Sequence, residues 1–206
     1  MAEPIGHVIL LVGPSCAGKS TLAAALQAAS AEPWLVQSLD GLFAATPDAW
    51  GGSGEHTREG FHYDFSPPET EGGPRVRRIG RGPVGWHLLQ GFHRAVAAYA
   101  NVGVNVIVDD MLLDLEVLRD WAEALAITPT LLASVTAPKA ELLRREVARQ
   151  LHPTPGLVAG HLDLHRTIVP DVEIDTSQTT PEDAARRLLE LASAPPRGSA
   201  LGVYRS

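Results

Sequence analysis

Gly13-Pro14-Ser15-Cys16-Ala17-Gly18-Lys19-Ser20-Thr21 is the stretch that decides the fold of this 206-residue chain. It fits G-x-x-x-x-G-K-[ST], with the apolar run His7–Val12 before it and the alanine-rich run Thr21–Leu26 after it. A short apolar strand, a glycine turn and a helix, in that order, make this pattern a phosphate-binding P-loop. Glycine at 13 and 18 lets backbone N–H groups curl around phosphate oxygens without Cβ clashes, and the helix N-terminus adds partial positive charge. Lys19 is placed to reach the β- and γ-phosphates and the Ser20 hydroxyl to hold Mg2+, while Pro14, Ser15, Cys16, Ala17 and Thr21 complete the cradle. ATP and Mg2+ are therefore the expected cofactors.

The chain is long enough for one substantial α/β core and too short for a large second domain. Lysine and arginine total 17 against 24 aspartates and glutamates, a formal charge of −7. That balance disfavours a nucleic-acid backbone as the main partner and suits a small molecule. The single cysteine, Cys16, has no internal disulfide partner. Its place in a nucleotide loop points to a reducing, cytoplasmic setting. No run approaches the roughly 20 apolar residues that span a bilayer, and no basic leader precedes one, so no membrane association is expected.

Outward from the loop, strands and helices alternate. Pro33–Asp40 reads as a second strand ending in a carboxylate, which puts Asp40 where open α/β sheets bind ligands. From Ala45 to about residue 83, glycines and prolines break any period, with Trp50, Phe61, Tyr63 and Phe65 between them. An irregular segment this long is usually functional, and its aromatic content suggests a cap on the substrate side. A helix is expected over Gly85–Tyr99, then the apolar strand Val104–Asp110 with Asp109 and Asp110 at its tip. Such a tip suits the ordering of Mg2+, with one of the two acids instead capping the following helix.

Asp114–Leu125 reads as a helix, Thr130–Val135 as a strand, and the stretch from Pro138 to about Gln150 as a helix carrying Arg144, Arg145 and Arg149. Arg145 and Arg149 share one face, where like charges repel unless an anion such as a phosphate lies between them. The competing reading is a solvated face with Glu141 paired to Arg145. Leu157–Arg166 resumes a helix, Val169–Asp175 is the last strand, Pro181–Ala192 closes the fold, and residues from 195 on read as a frayed tail. The alternation predicts a three-layer α/β sandwich around a parallel sheet of about five strands, one domain over 1–206 with a cap near 45–83 and a lid near 145–160. His161 and His165 stand four apart and are able to chelate a metal, but no third ligand is indicated. Arg75, Arg77, Arg78 and Arg81 form a basic run that reads as a solvated face, or as a partner for Asp64, Glu69, Glu71 or an anionic group.

This constellation resembles the chloramphenicol phosphotransferase family of small P-loop kinases. The resemblance rests on the Gly13–Ser20 loop, Glu32-Pro33-Trp34-Leu35 with Asp40, Ile107-Val108-Asp109-Asp110, Arg145-Glu146-x-x-Arg149, His165 and Asp171–Thr176. It implies transfer of the γ-phosphate of ATP to a hydroxyl of a small antibiotic-like alcohol, an antibiotic-resistance activity. Asp40 then matches the family's general base, and Arg145 and Arg149 its lid arginines. Two departures stand out: Leu151-His152-Pro153-Thr154-Pro155 replaces the charged pair usual after the second arginine, and the 45–82 segment is longer than in the chloramphenicol enzyme. A zeta-toxin-type kinase of a nucleotide sugar and a non-enzymatic ATP-dependent switch are the alternatives. The N-K-x-D base-reading pattern of GTPases is absent.

Overall fold

The computed structural model of the chain describes residues 5–150, 154–193 and 199–205. Val8–Val12 forms β1, buried at every position, and leads through the P-loop into α1 (Lys19–Ala29). β2 (Trp34–Ser38) is followed at once by α2 (Leu39–Ala45). An antiparallel hairpin, β3 (Phe61–Ser66) and β4 (Val76–Arg81), then precedes α3 (Pro83–Asn101) and β5 (Asn105–Asp110). The remainder is α4 (Leu115–Ala124), β6 (Thr130–Thr136), α5 (Lys139–Ala148), α6 (Leu157–His165), β7 (Val172–Asp175) and α7 (Pro181–Ser193).

The main sheet is parallel throughout, in the order β2-β5-β1-β6-β7. Continuous apolar runs such as Val-Ile-Leu-Leu-Val suit strands covered on both faces. Val8, Leu10 and Val12 pack with Leu89, Val96 and Trp121 on one side, and Ile9 and Leu11 with Leu22, Leu26 and Leu188 on the other. The register sets Asp109 beside Leu11 and Ser38, and Asp110 beside Val12, so the tips of β1, β5 and β2 meet at one edge. Among the described residues no helix is long and apolar enough to cross a membrane.

Three expectations need correction. The 45–83 segment is not irregular: besides a 3-10 turn at Asp48–Trp50 it contains the hairpin, paired from Phe61↔Arg81 to Ser66↔Val76. Phe61, Tyr63 and Phe65 do alternate with polar residues, as a one-sided strand requires. The strand expected to end at Asp40 stops two residues earlier, at Ser38, and α2 begins at Leu39, so that carboxylate lies in the first turn of a helix. The tail is not frayed over 199–205. Ala200–Tyr204 is a 3-10 turn with Leu201 buried, and the Asp171 carboxylate accepts from Ala200 N–H at 2.6 Å and Ser199 Oγ at 3.0 Å. The earlier part of that tail and Leu151-His152-Pro153 of the lid lie outside the described residues.

The hairpin is seated on α6. Arg77 N–H donates to Gly156 O at 3.0 Å, and Ile79 N–H to His161 Nε2 at 3.0 Å. Gly160 permits this approach, because a Cβ there would stand 1.8 Å from Arg77 O.

Candidate active site

The P-loop is drawn tight against the sheet. A Cβ on Gly13 would lie 2.1 Å from Val135 O, and Gly18 takes a left-handed φ of 96° just before α1. Both glycines are thus required by the backbone path. Lys19 is buried, its Nζ donating to Gly13 O at 3.0 Å and Pro14 O at 3.2 Å and lying 3.8 Å from Asp109 Oδ1. Ser20 Oγ donates to Asp109 Oδ2 at 2.6 Å. One carboxylate therefore spans the lysine and the hydroxyl that a P-loop uses on phosphate and metal.

Asp110 does something else. It is fully buried and accepts from Leu112 N–H at 2.6 Å and Trp121 Nε1–H at 2.7 Å. Successive residues of a strand point to opposite faces, so only one of two adjacent acids can look into the cleft. Of the two acids expected to divide between ordering Mg2+ and capping, Asp109 faces the loop, and Asp110 braces the turn in which Leu112 has a left-handed φ of 53°. Burial pushes the Asp110 carboxyl up from its ordinary value. Beneath it, Trp121 stacks on His93, which with Arg94 holds Asp120.

A cleft of about 750 Å³ opens over the loop and is lined by Lys19, Ser20, Asp40, Asp109, Arg145 and Arg149, among others. Asp40 is exposed in the first turn of α2. It does not cap that helix, since Ser38 Oγ accepts from Gly41 N–H at 3.0 Å. Arg145 lies across the loop: Nη1 donates to Thr176 Oγ1 at 2.8 Å and Cys16 O at 3.3 Å, and Nη2 to Thr176 O at 3.2 Å. Its Nε also pairs with Glu141 at 2.8 Å, so the helix-face pair and the loop contact coexist.

Glu146, quoted within the arginine motif but given no role from sequence, is buried between α5 and α6. Its carboxylate accepts from Gly156 N–H at 3.0 Å and Val158 N–H at 2.8 Å, donors that no helix satisfies internally at its start. An acid set between Arg145 and Arg149 was the available signal. His161 and His165 are buried under the hairpin, and burial lowers them to about 4 and about 3. Among the described residues no group of three side chains suited to a metal surrounds them.

A second cavity of about 690 Å³ adjoins the cleft and shares Phe43, Tyr63 and Ile79 with it, with Phe61 as a further wall. Phe43 meets Phe61 edge-on, with ring centroids 4.8 Å apart.

The parallel sheet, the P-loop after its central strand and the aspartate on the neighbouring strand define a P-loop kinase fold. The chain belongs to the chloramphenicol phosphotransferase-like family, small-molecule kinases whose model matches residues 6–193. It is 32% identical over 206 residues, 98% of this chain and 89% of the relative, to a Mycobacterium tuberculosis (strain ATCC 25618 / H37Rv) protein provisionally named an O-phosphotransferase. Similar solved structures include the Mycobacterium tuberculosis APS kinase in complex with AMPPNP and APS, at 14% identity and TM-score 0.60, covering 93% of this chain and 100% of that one. Shikimate kinase from Acinetobacter baumannii in complex with shikimate is similar at 16% identity and TM-score 0.58, covering 95% and 97%. These two likenesses concern the fold.

Proposed function

We propose that the chain transfers the γ-phosphate of ATP to a hydroxyl of a small antibiotic-like molecule. The observation that carries this reading is the Lys19–Asp109–Ser20 cluster at the floor of a cleft that also presents Asp40 and continues into an aromatic-walled cavity. Phosphoryl transfer needs alignment and charge cancellation more than covalent chemistry from the protein. Lys19 and the loop N–H groups hold the triphosphate; Arg145 and Arg149 approach it from α5, where such an arginine is worth roughly 10³ to 10⁵ in rate. Asp40 orients the acceptor hydroxyl and takes its proton, and the hairpin and α2 close the acceptor side.

Ser20 Oγ and the Asp109 carboxylate are hard oxygen donors already 2.6 Å apart, a set that fits Mg2+. When bound, Mg2+ offsets negative charge on the phosphate oxygens. The test is nucleotide binding by calorimetry at varied Mg2+. Asp109→Asn and Ser20→Ala should each raise the Mg2+ needed for half-maximal ATP affinity, and Lys19→Ala should remove measurable affinity. Unchanged Mg2+ dependence in both of the first two variants contradicts the assignment.

A further inference from the structure

The second cavity carries a charge pattern that bears on what it admits. Its described lining contains Asp48 and Glu55 and no lysine or arginine. Asp48 opens the 3-10 turn at the cavity's edge, and no described side chain or backbone group engages its carboxylate. Among the described residues Glu55 meets only the exposed His56, at 3.4 Å.

Four nearby arginines are held elsewhere, and Arg78, opposite Asp64 on the hairpin, is exposed and does not line the cavity. Arg58 pairs with Asp64 at 2.8 Å; Arg81 is bound by Asp114 at 3.0 Å and Glu116 at 2.6 Å and lies over Trp86. Arg75 lies over the Phe65 ring and Arg77 over Tyr63, neither of them lining the cavity. His62, the one basic group in the lining, has Nδ1 3.3 Å from Thr57 O and Nε2 3.4 Å from Asp64. Four arginines of the hairpin region are thereby turned to structural use, and the cavity, walled by Phe43, Phe61, Tyr63 and Ile79, has the exposed carboxylates of Asp48 and Glu55 in its lining.

We infer that this cavity admits an alcohol with an apolar face and no anionic group, neutral or ammonium-bearing, and that Asp48 is the residue that sets this charge preference. The inference rests on the kinase reading of the adjoining cleft and narrows its acceptor class. A carboxylate or phosphate on the acceptor would enter beside like charges with no basic partner to offset desolvation. An ammonium or a hydroxyl finds an unengaged acceptor in Asp48, and an apolar ring finds the aromatic walls.

The test uses acceptors that share a scaffold and differ in charge. One triplet is para-nitrophenylserinol, chloramphenicol and the N-succinyl derivative of the first; another is glucosamine, glucose and glucuronate. Binding is read by saturation-transfer NMR in the presence of ATP, and transfer by one-phosphate mass gain. The anionic member of a triplet should bind roughly tenfold more weakly than its neutral and cationic partners at low salt, with the gap narrowing as salt rises. Asp48→Asn should weaken the ammonium compounds selectively, and Asp48→Lys should move the order toward the anions. Anions that bind as well as their partners, or an order untouched by Asp48→Lys, overturn the inference. Correct charge order without phosphate gain instead contradicts the kinase reading while leaving the cavity's selectivity standing, so the two failures are distinguishable.

Discussion

Asp109 and Asp110 differ by one position and by everything that position decides. Asp109 stands at the cleft with Ser20 and Lys19, so Asp109→Asn should abolish most Mg2+-dependent turnover while thermal stability changes little. Asp110 accepts two buried N–H donors, and an asparagine there turns an N–H donor toward another donor. Asp110→Asn should cost about 1–3 kcal/mol, read as a Tm lowered by several degrees. Parallel melting curves and ATPase assays of the two variants check this split. The sequence placed both acids at a strand tip, but their division of labour depends on the pleat and on Trp121, eleven residues away in sequence, a distance no motif encodes.

Histidine burial makes stability pH-dependent. His161 and His165 have folded-state values lowered to about 4 and about 3, below the ordinary value of about 6.5. The unfolded chain therefore takes up protons first, and their contribution is fully present above about pH 6.5 and declines as pH falls toward 4 for His161 and toward 3 for His165. The full loss is on the order of 3 kcal/mol for His161 and about 5 kcal/mol for His165. Protonating His161 Nε2 also removes the acceptor for Ile79 N–H. Asp120 works in a lower window: burial alone would raise its carboxyl, but hydrogen bonds from His93 and Arg94 outweigh that and hold it well below the usual carboxylate range. Its contribution is present above about pH 4 and lost below it. Urea unfolding from pH 7 to 4.5 should show falling stability, with a shallower slope in His165→Leu; a flat profile in the wild type contradicts the account.

At the scale of elements, α6 is the strut between the arginine helix and the aromatic wall of the hairpin. Glu146 fixes its start, and the hairpin rests on Gly156, Gly160 and His161. Gly160→Ala places a methyl 1.8 Å from Arg77 O, so the hairpin must shift away from α6. That variant should raise the acceptor KM several-fold more than the ATP KM, because Tyr63 and Ile79 move while the P-loop does not. Equal effects on both KM values contradict this coupling.

The long periodic helices and the buried apolar strands were readable from spacing alone, to within a few residues at their ends. The hairpin was not, because Gly72, Gly73, Pro67, Pro68 and Pro74 of its connection and Gly80 within β4 mask two short strands whose alternation is otherwise present. Nor was α2, whose seven residues are too few to display a helical period. Asp40 was found for its position in the chain, yet it reaches the cleft from a helix, not from a strand end.

At the scale of the whole molecule, the order β2-β5-β1-β6-β7 gathers the P-loop, Asp109 and Asp40 at one edge of the sheet from segments far apart in sequence. α5 and the hairpin bring the arginines and the aromatic wall to the same edge. The P-loop announced the phosphate side in nine consecutive residues. The second cavity had no comparable signature, since its walls come from α2, the 48–55 turn and the hairpin, which meet only through folding.

The measurement that bears most directly on the central claim is ATP-dependent phosphate transfer to a panel of hydroxylated antibiotics, read as a one-phosphate mass gain for the wild type, Lys19→Ala and Asp40→Asn. Phosphotransfer with Asp40 as base predicts that at least one compound gains phosphate, that Lys19→Ala is inactive, and that Asp40→Asn falls by roughly 10² to 10⁴ while still binding ATP. ATP bound with no compound modified, or full transfer retained by Asp40→Asn, would contradict it.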